Sequence, residues 1–242
     1  MDEQPAKIET GIAGLDSMLA GGIPIGNQIL IAGGPGAGKT LLSFEILYRN
    51  AKAGTPVAFI ALEEQTAKVL ANAKNAFSDF KDIDDLMAKK MFVLEGKDPM
   101  AGLFEQSEFQ TYSFGNVVSF IESVVRINDA RLVVIDSLSL MKLMLTDKLT
   151  YRKSMLSLIF NLRRLGVTSI ITAEVPAPER SELRFSQEFF VFDGIIMMYQ
   201  SGQEDKRVPM MEVVKMRGSS HSWALSPYDI TSKGFKIFTI DQ

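Results

Sequence analysis

QILIAGGPGAGKT, residues 28–40, joins a short apolar run to a glycine-rich segment that ends in Lys39 and Thr40. The apolar run predicts a buried strand, the glycines predict a tight turn, and the amphipathic stretch that follows predicts a helix. The segment from Gly33 to Thr40 matches the pattern G-x-x-x-x-G-K-[ST] in full. A strand before this pattern and a helix after it form the setting in which it binds phosphate. The sequence therefore predicts a phosphate-binding loop, and a glycine-rich turn that matches by chance is the alternative.

The residue types in this loop fit a nucleoside triphosphate. Glycines let the backbone curl so that successive amide hydrogens face phosphate oxygens, and the start of the next helix adds its positive dipole end. We expect Lys39 to reach the β and γ phosphates and the Thr40 hydroxyl to ligate Mg²⁺. The predicted nucleotide-binding residues are Gly34, Pro35, Gly36, Ala37, Gly38, Lys39, Thr40 and Leu41.

The rest of the chain repeats a strand followed by a helix. Near-continuous apolar runs predict strands that are covered on both faces, as in a parallel sheet. These runs occupy residues 28–32, 57–62, 91–95, 131–136 and 167–173. Apolar residues at helical spacing predict helices at 40–53 and 117–129 and a third before Gly166. The later runs GIIMMYQ, MMEVVKM and FKIFTI alternate with polar turns and predict an antiparallel extension. The predicted fold class is α/β, a mostly parallel sheet flanked by helices with an antiparallel C-terminal extension, in one domain over residues 1–242.

Composition narrows the class of protein. Hydrophobic residues make up 46% of the 242 residues and charged residues 23%, which is typical of a globular protein with a sizeable core. There is no cysteine, which excludes disulfides and thiolate metal sites. We see neither a leader pattern nor an apolar run that could span a membrane, and we expect a cytoplasmic protein. The net charge of −3 disfavours a protein whose main task is to bind nucleic acid.

Three carboxylates follow two of the predicted strands. Asp136 ends the run RLVVID at the carboxyl edge of the sheet, where it can hold the metal through water. Glu63 and Glu64 follow the run VAFIAL at the same edge, and one of them can polarise the attacking water. The alternative is that Glu63 and Glu64 only start the next helix, where acidic side chains suit the helix dipole. We expect Glu63 to be the water-orienting residue.

A longer signature surrounds the phosphate loop. Residues 10–40 read TGIAGLDSMLAGGIPIGNQILIAGGPGAGKT, and the pattern continues through the glutamate pair at 63–64, DGIIMM at 193–198 and KMRGSSH at 215–221. Over essentially the whole chain the sequence resembles the RecA-like ATPases and, within them, the KaiC family. The resemblance implies a RecA-like P-loop NTPase core that binds ATP and Mg²⁺ and hydrolyses ATP slowly, as a regulatory or signalling ATPase.

The resemblance also implies a role for KMRGSSH. In the KaiC family the matching Lys-x-Arg pair and histidine project into the nucleotide site of the neighbouring subunit, which implies that Lys215, Arg217 and His221 act in trans. A fixed guanidinium can neutralise charge that develops at the γ-phosphate. A site shared by a head-to-tail contact closes into a ring, and the resemblance implies a homo-oligomer, a hexamer. The alternatives are a solvated edge strand guarded by Lys215 and Arg217, and an ordinary surface or core histidine.

Two other functions are compatible with a phosphate loop. A recombinase of the RecA type would bind single-stranded DNA through a basic or glycine-rich loop after residue 173, but that loop is net acidic. Its charged residues are Glu174, Glu179, Arg180, Glu182, Arg184 and Glu188. Residues 142–153 are basic, which leaves a weak contact with nucleic acid open, although a solvated helix face explains them too. The second alternative is a sensor that binds ATP without turnover and passes its state to a protein partner.

Overall fold

The structure is a mixed sheet flanked by helices. A computed structural model describes residues 5–96, 114–139, 142, 145, 147–175, 187–201 and 208–239. Its strands are β1 (Lys7–Ile8), β2 (Ile23–Pro24), β3 (Gln28–Gly33), β4 (Val57–Ala61), β5 (Phe92–Gly96), β6 (Leu132–Asp136), β7 (Thr168–Glu174), β8 (Gly194–Ser201), β9 (Val208–Met216), β10 (Ser226–Thr231) and β11 (Gly234–Ile237). Its helices are α1 (Ala13–Met18), α2 (Lys39–Lys52), α3 (Thr66–Ala76), α4 (Ile83–Ala88), α5 (Phe114–Ile127) and α6 (Lys148–Leu165), with a 3₁₀ turn at Gln187–Val191.

Strand order sets where a ligand site can form. Within the described residues the large sheet has the order β11-β10-β9-β8-β3-β7-β6-β4-β5, and β1 and β2 form a separate ribbon. The strands from β8 to β5 run parallel to one another, whereas β9, β10 and β11 run antiparallel to their neighbours. The predicted α/β fold class is therefore confirmed. We call the edge where the parallel strands end the carboxyl edge and the opposite one the amino edge; ligands bind such sheets at the carboxyl edge.

The central strands are apolar on both faces because helices cover both. In β3, Ile29 and Ile31 contact the layer of α1 to α4, while Leu30 and Ala32 contact the layer of α5 and α6. A strand buried on both sides has no polar face to alternate with, which explains its continuous apolar run. None of the helices in the described ranges is long and apolar enough to cross a membrane.

The C-terminal extension differs from the prediction in one respect. The run at 194–200 was expected to be antiparallel, but it is β8 and pairs in parallel with β3. The antiparallel part begins with β9, which pairs with β8 in the antiparallel direction. Two adjacent apolar runs predict a hairpin, yet they do not show which run joins the parallel strands. The strand β10 was missed because SPYDIT contains no apolar run.

The signature before the phosphate loop has a structural explanation. Asp16 accepts hydrogen bonds from the Thr10 amide and hydroxyl, both at 2.7 Å, and from the Gly11 amide at 3.1 Å. The ammonium group of Lys7 donates to the Ala20 carbonyl at 2.6 Å. These bonds hold the segment before β3 in a compact conformation. Thr10, Gly11 and Asp16 of the signature therefore bond to one another, and not to the phosphate loop.

A buried ion pair connects α2 to the last hairpin. The carboxylate of Glu45, whose side chain is fully buried, lies 2.6 Å from Arg49 and accepts the Phe235 amide at 2.7 Å. Burial raises the pKa of Glu45, while the bonds from Phe235 and Arg49 oppose the rise. Gly234 leaves room for this carboxylate, since a Cβ there would lie 2.1 Å from Glu45 Oε1. The helix that starts at the phosphate loop is thus fixed to β11.

Candidate functional site

The phosphate loop lies at the carboxyl edge, between β3 and α2. Gly36 and Gly38 have positive φ angles of 76° and 90°, a conformation that favours glycine. A Cβ on Gly38 would also lie 2.8 Å from the Ile230 side chain. Because α2 begins at Lys39, directly after the loop, the amide hydrogens of its first turn have no partner within the helix and can bind an anion.

Lys39 is folded back onto its own loop. Its ammonium group donates to the Gly33 and Gly34 carbonyl oxygens at 3.0 and 2.9 Å. Burial lowers the pKa of Lys39, and the carboxylates of Glu174, Asp136 and Glu63 oppose this change. The side chain is therefore held against the loop by two carbonyl hydrogen bonds that bonds to phosphate oxygens could replace.

Asp136 ends β6 and lies between two hydroxyl groups. Its Oδ2 accepts a hydrogen bond from Thr40 Oγ1 at 2.8 Å, and its Oδ1 accepts one from Thr172 Oγ1. Burial raises the pKa of Asp136; the two threonine hydroxyls oppose the rise and nearby Glu63 adds to it. Thr172, on β7, was not predicted, because a threonine within a buried strand carries no functional signal.

The donor set at Thr40 and Asp136 fits Mg²⁺. Carboxylate and hydroxyl oxygens are hard ligands, and Mg²⁺ sites that bind nucleotides use one or two carboxylates together with phosphates and water. Within the described residues, no group of three or more His, Cys, Asp and Glu side chains could hold a metal ion by itself. The arrangement therefore suits a metal that arrives with a phosphate ligand.

The adjacent glutamates have different surroundings. Glu63 accepts a hydrogen bond from Ser137 Oγ at 2.6 Å and lines the same pocket as Asp136. Glu64 pairs with Lys68 at 3.0 Å, one turn into α3, and its side chain is 38% exposed. Both residues line the pocket. Their placement favours Glu63 over Glu64 for contact with a water near the phosphate, and both roles stay predictions.

A pocket of about 670 Å³ brings these groups together. It is lined by Gly36, Gly38, Lys39, Thr40, Leu41, Glu63, Glu64, Asn72, Asn75, Ala76, Asp136, Ser137, Glu174 and Ile230. The predicted Gly34, Pro35 and Ala37 belong to the same loop without lining this volume. Ser137, directly after Asp136, was also missed, and the other missed residues come from α3, β7 and β10, which no motif connects to the loop.

Lys215 and Arg217 lie at the amino edge, away from this pocket. Lys215 pairs with Ile195, which in turn pairs with Leu30, whereas the phosphate loop follows Gly33. Three residues of strand span about 10 Å and two strand spacings about 10 Å, so the Cα atoms of Lys215 and Gly33 are about 14 Å apart. The structure does not bring Lys215 or Arg217 to the phosphate loop of the same chain.

These two cations belong to a charged cluster. Lys215 Nζ donates to the Phe192 carbonyl at 2.5 Å, and burial, with a contribution from Arg217, lowers the pKa of Lys215. The Asp193 carboxylate lies 2.7 Å from Arg163 and 3.5 Å from Arg217. Arg217 is thus only weakly held, and its side chain is 56% exposed.

His221 is not among the residues that line the pocket. Its Nδ1 lies 3.0 Å from the Ser222 carbonyl oxygen, and its ring is 4.6 Å from that of Trp223, which is 78% exposed. The prediction that it acts in trans is untested by this arrangement, as is the alternative of an ordinary surface histidine.

Most of the acidic loop after residue 173, where a recombinase would bind single-stranded DNA, lies outside the described residues. The part concerned is residues 176–186, which include Glu179, Arg180, Glu182 and Arg184. In the basic segment, Lys148, Arg152 and Lys153 are exposed on the first turns of α6. Asp147 caps this helix by accepting the Thr150 amide at 2.7 Å. The basic residues are therefore exposed to solvent, and a weak contact of this helix face with nucleic acid stays a prediction.

Comparisons with known proteins find related sequences and a similar fold. A family model described as "ATPase: KaiC" matches residues 8–242. The chain is 34% identical over 238 residues to the UPF0273 protein PH0284 of Pyrococcus horikoshii, covering 96% of this chain and 94% of that protein. It is 32% identical over 236 residues to the circadian clock oscillator protein KaiC 1 of Synechocystis sp., covering 97% of this chain. The chain spans only 44% of that clock protein's length. The crystal structure of the KaiC-like protein PH0186 from Pyrococcus horikoshii matches with a TM-score of 0.82 at 26% identity, over 97% of this chain and 100% of that one.

Proposed function

The chain belongs to the KaiC family of ATPases, and from this premise we propose that it binds ATP with Mg²⁺ and hydrolyses it slowly, as a single domain in a homo-oligomeric ring. The observation that carries the proposal is the convergence of four predicted residues on one pocket. Lys39 and Thr40 come from α2, Glu63 follows β4, and Asp136 ends β6, and all four line the same cavity. A pocket with a phosphate loop, a metal-ligand pair and the Glu63 carboxylate suits phosphoryl transfer to water.

Each group has a distinct task in this proposal. The loop amides and Lys39 bind the β and γ phosphates, and Thr40 and Asp136 hold the Mg²⁺, which when bound neutralises charge on the phosphate oxygens. Glu63 accepts a hydrogen bond from the water whose oxygen attacks the γ-phosphorus, while the bond from that phosphorus to the β–γ bridging oxygen breaks. Glu64 lines the same pocket as Glu63 and adds negative charge to it.

We propose that Lys215, Arg217 and His221 complete the nucleotide site of an adjacent subunit. Two observations support this for Lys215 and Arg217: they are too far from their own phosphate loop, and they lie on the opposite edge of the sheet. The pocket walls carry Glu63, Glu64 and Glu174, so a head-to-tail contact would place a basic edge against an acidic one. Such contacts close into rings when the rotation allows, and a hexamer is the expected ring.

The surface beside these cations is apolar. Leu156 and Phe160 lie one turn apart on α6 and are 48% and 67% exposed, and Phe190, on the 3₁₀ turn that packs against α6, is 60% exposed. Arg163 is one turn beyond Phe160 and reaches the Asp193 that Arg217 also contacts. Exposed apolar residues that lie together mark contact surfaces, which supports a subunit contact next to Arg217.

The experiment that tests this function combines turnover with a mass measurement. Lys39→Ala should abolish ATP binding, whereas Arg217→Ala should retain binding and lower turnover. A Glu63→Gln chain and an Arg217→Ala chain, each strongly slowed alone, should recover part of the activity when mixed, because a mixed interface contains one intact Glu63 and one intact Arg217. Mass photometry with and without ATP should detect the ring. Full-speed hydrolysis by a species of one chain would overturn the shared site.

For the biological role we propose a regulatory ATPase whose nucleotide state is read by a protein partner. Slow turnover with a conformational response suits a switch better than a motor. Nucleic acid is not required for it. Binding of labelled single-stranded DNA that weakens steeply with salt would instead favour the recombination class.

A further inference from the structure

Two serine hydroxyls connect Glu63 to the end of β7. Ser137 Oγ lies 2.6 Å from Glu63 Oε1 and 3.1 Å from Ser139 Oγ, and it also accepts the Ser139 amide at 3.2 Å. Ser139 Oγ in turn accepts the Glu174 amide at 3.4 Å. Ser137 is 3% exposed, so water does not compete strongly for its hydroxyl.

We call the hydrogen-bonded series of the Glu174 amide, Ser139, Ser137 and Glu63 the serine relay. Its donors and acceptors can be assigned in one order. A serine hydroxyl has one hydrogen to donate, and an ionised carboxylate can only accept. Ser137 therefore donates to Glu63, Ser139 donates to Ser137, and the Glu174 amide donates to Ser139. Each hydroxyl is thereby used once as a donor and at least once as an acceptor, which fixes the orientation of the whole relay.

We propose that Ser137 is a positioning residue for hydrolysis, which holds the Glu63 carboxylate in the orientation needed for the attacking water, and that Ser139 extends this control to the end of β7. The inference rests on the proposed function, because it assigns Ser137 an effect only through Glu63. A glutamate has three side-chain torsions, and the hydrogen bond from Ser137 restricts them by holding one carboxylate oxygen in place. Ser137 also immediately follows Asp136, so the same turn positions the metal ligand and the carboxylate.

The relay gives the end of β7 a physical connection to the reacting water. Glu174 is the last residue of β7 and lines the pocket, and Val175 after it donates its amide to Gly33 at the start of the phosphate loop. A displacement of this strand end would lengthen the bond from Glu174 to Ser139 and loosen Ser137. Turnover can then respond to a contact at β7 without any change in the residues that bind phosphate.

The test uses the full chain and separates turnover from binding. Ser137→Ala should lower kcat about 10- to 100-fold, as expected when a catalytic group loses its orientation, with KM and the Kd for a fluorescent ATP analogue changed less than about twofold. Ser139→Ala should give a smaller loss in kcat alone. Ser137→Thr, which keeps the hydroxyl, should restore most of the rate. Ser226→Ala is the matched control, because Ser226 Oγ is buried without a hydrogen-bond partner among the described residues, and this variant should turn over like the parent.

A double substitution distinguishes this inference from the function on which it rests. Glu63→Gln keeps an acceptor for Ser137 but cannot act as a carboxylate, and its residual rate is measured in single turnovers with protein in excess of labelled ATP. Adding Ser137→Ala to Glu63→Gln should change that rate less than about twofold, because the two residues act as a unit. An unchanged kcat in Ser137→Ala, or an equal further loss in the double variant, would overturn the role of Ser137. Parent-like turnover in Glu63→Gln alone would instead refute the proposed role of Glu63.

Discussion

Replacement of Tyr228 by phenylalanine tests whether β10 supports the phosphate loop. The Tyr228 hydroxyl donates to the Ala37 carbonyl, in the middle of the loop, at 2.6 Å, and the residue is 2% exposed. Its ring packs against Phe235 with centroids 5.7 Å apart, and phenylalanine keeps this contact. The substitution therefore removes one hydroxyl and leaves a carbonyl of the loop without its donor.

The size of the effect follows from that missing bond. An unsatisfied buried polar group costs about 1–3 kcal/mol, and for a chain of this length each kcal/mol lowers Tm by about 2–4 °C. We expect Tyr228→Phe to lower the Tm without nucleotide by about 2–12 °C. If about half of the lost free energy serves to hold the loop in its binding conformation, the Kd for ATP should rise about twofold to thirteenfold.

The pKa of Tyr228 adds a second readout. Burial raises it to about 12, whereas an exposed tyrosine has a pKa of about 10. The folded state thus favours the protonated hydroxyl, so this contribution to stability is fully present below pH of about 10 and is lost as pH rises to about 12. The parent should lose more stability than Tyr228→Phe over this interval, as measured by urea unfolding.

Tyr199→Phe is the matched control for the nucleotide effect. Tyr199 is also buried, and its hydroxyl donates to Glu212 at 2.5 Å between β8 and β9. This variant should lose stability while binding the fluorescent ATP analogue like the parent. If Tyr228→Phe keeps the parental Tm and Kd, the reasoning about β10 is wrong. If both variants weaken ATP binding equally, the effect is a general loss of stability.

Two further predictions concern the surface and the hairpin. Phe160→Glu should lower the fraction of assembled subunits in mass photometry and lower turnover at low protein concentration, whereas Ile127→Glu, on α5 and 78% exposed against 67% for Phe160, should assemble like the parent. Assembly by Phe160→Glu at parental concentrations would exclude α6 from the contact. Gly234→Ala should destabilise the fold by about 3 kcal/mol in urea unfolding, since its Cβ would lie 2.1 Å from Glu45 Oε1. Gly54→Ala also has a positive φ but meets no atom within 4 Å, so it should cost only about 1 kcal/mol; equal losses in the two variants would contradict the proposed clash.

The sequence predicts those parts of the site that one continuous segment encodes. The strand, loop and helix around Lys39 are encoded by residues adjacent in the chain. Their conformations depend on short-range patterns, not on which strands become neighbours. Asp136 and Glu63 could also be predicted, because each ends an apolar run and the ends of parallel strands meet at one edge. The five strands predicted between residues 28 and 173 were found for the same reason, since burial on both faces leaves a continuous apolar pattern.

The remaining site residues could not be predicted because their role depends on strand order. Thr172 reaches Asp136 only because β7 is the neighbour of β6, and Tyr228 reaches Ala37 only because the last hairpin folds over α2. Threonine and tyrosine in strands are ordinary residues by composition. The relay from Ser137 has a similar origin: the bond to Glu63 requires β4 and β6 to be adjacent, which periodicity does not specify.

The direction of β8 explains why the late cations cannot serve their own phosphate loop. Had β8 been antiparallel to β3, its hairpin partner β9 would have ended at the carboxyl edge, and Lys215 would lie beside the phosphate loop. Instead β8 runs parallel to β3, so β9 returns to the amino edge and carries Lys215 and Arg217 with it. The resulting distance of about 14 Å between the Cα atoms of Lys215 and Gly33 is longer than a lysine side chain. If these cations contribute to hydrolysis at all, topology therefore requires that they do so in another subunit, and this argument is independent of the sequence resemblance that first suggested it.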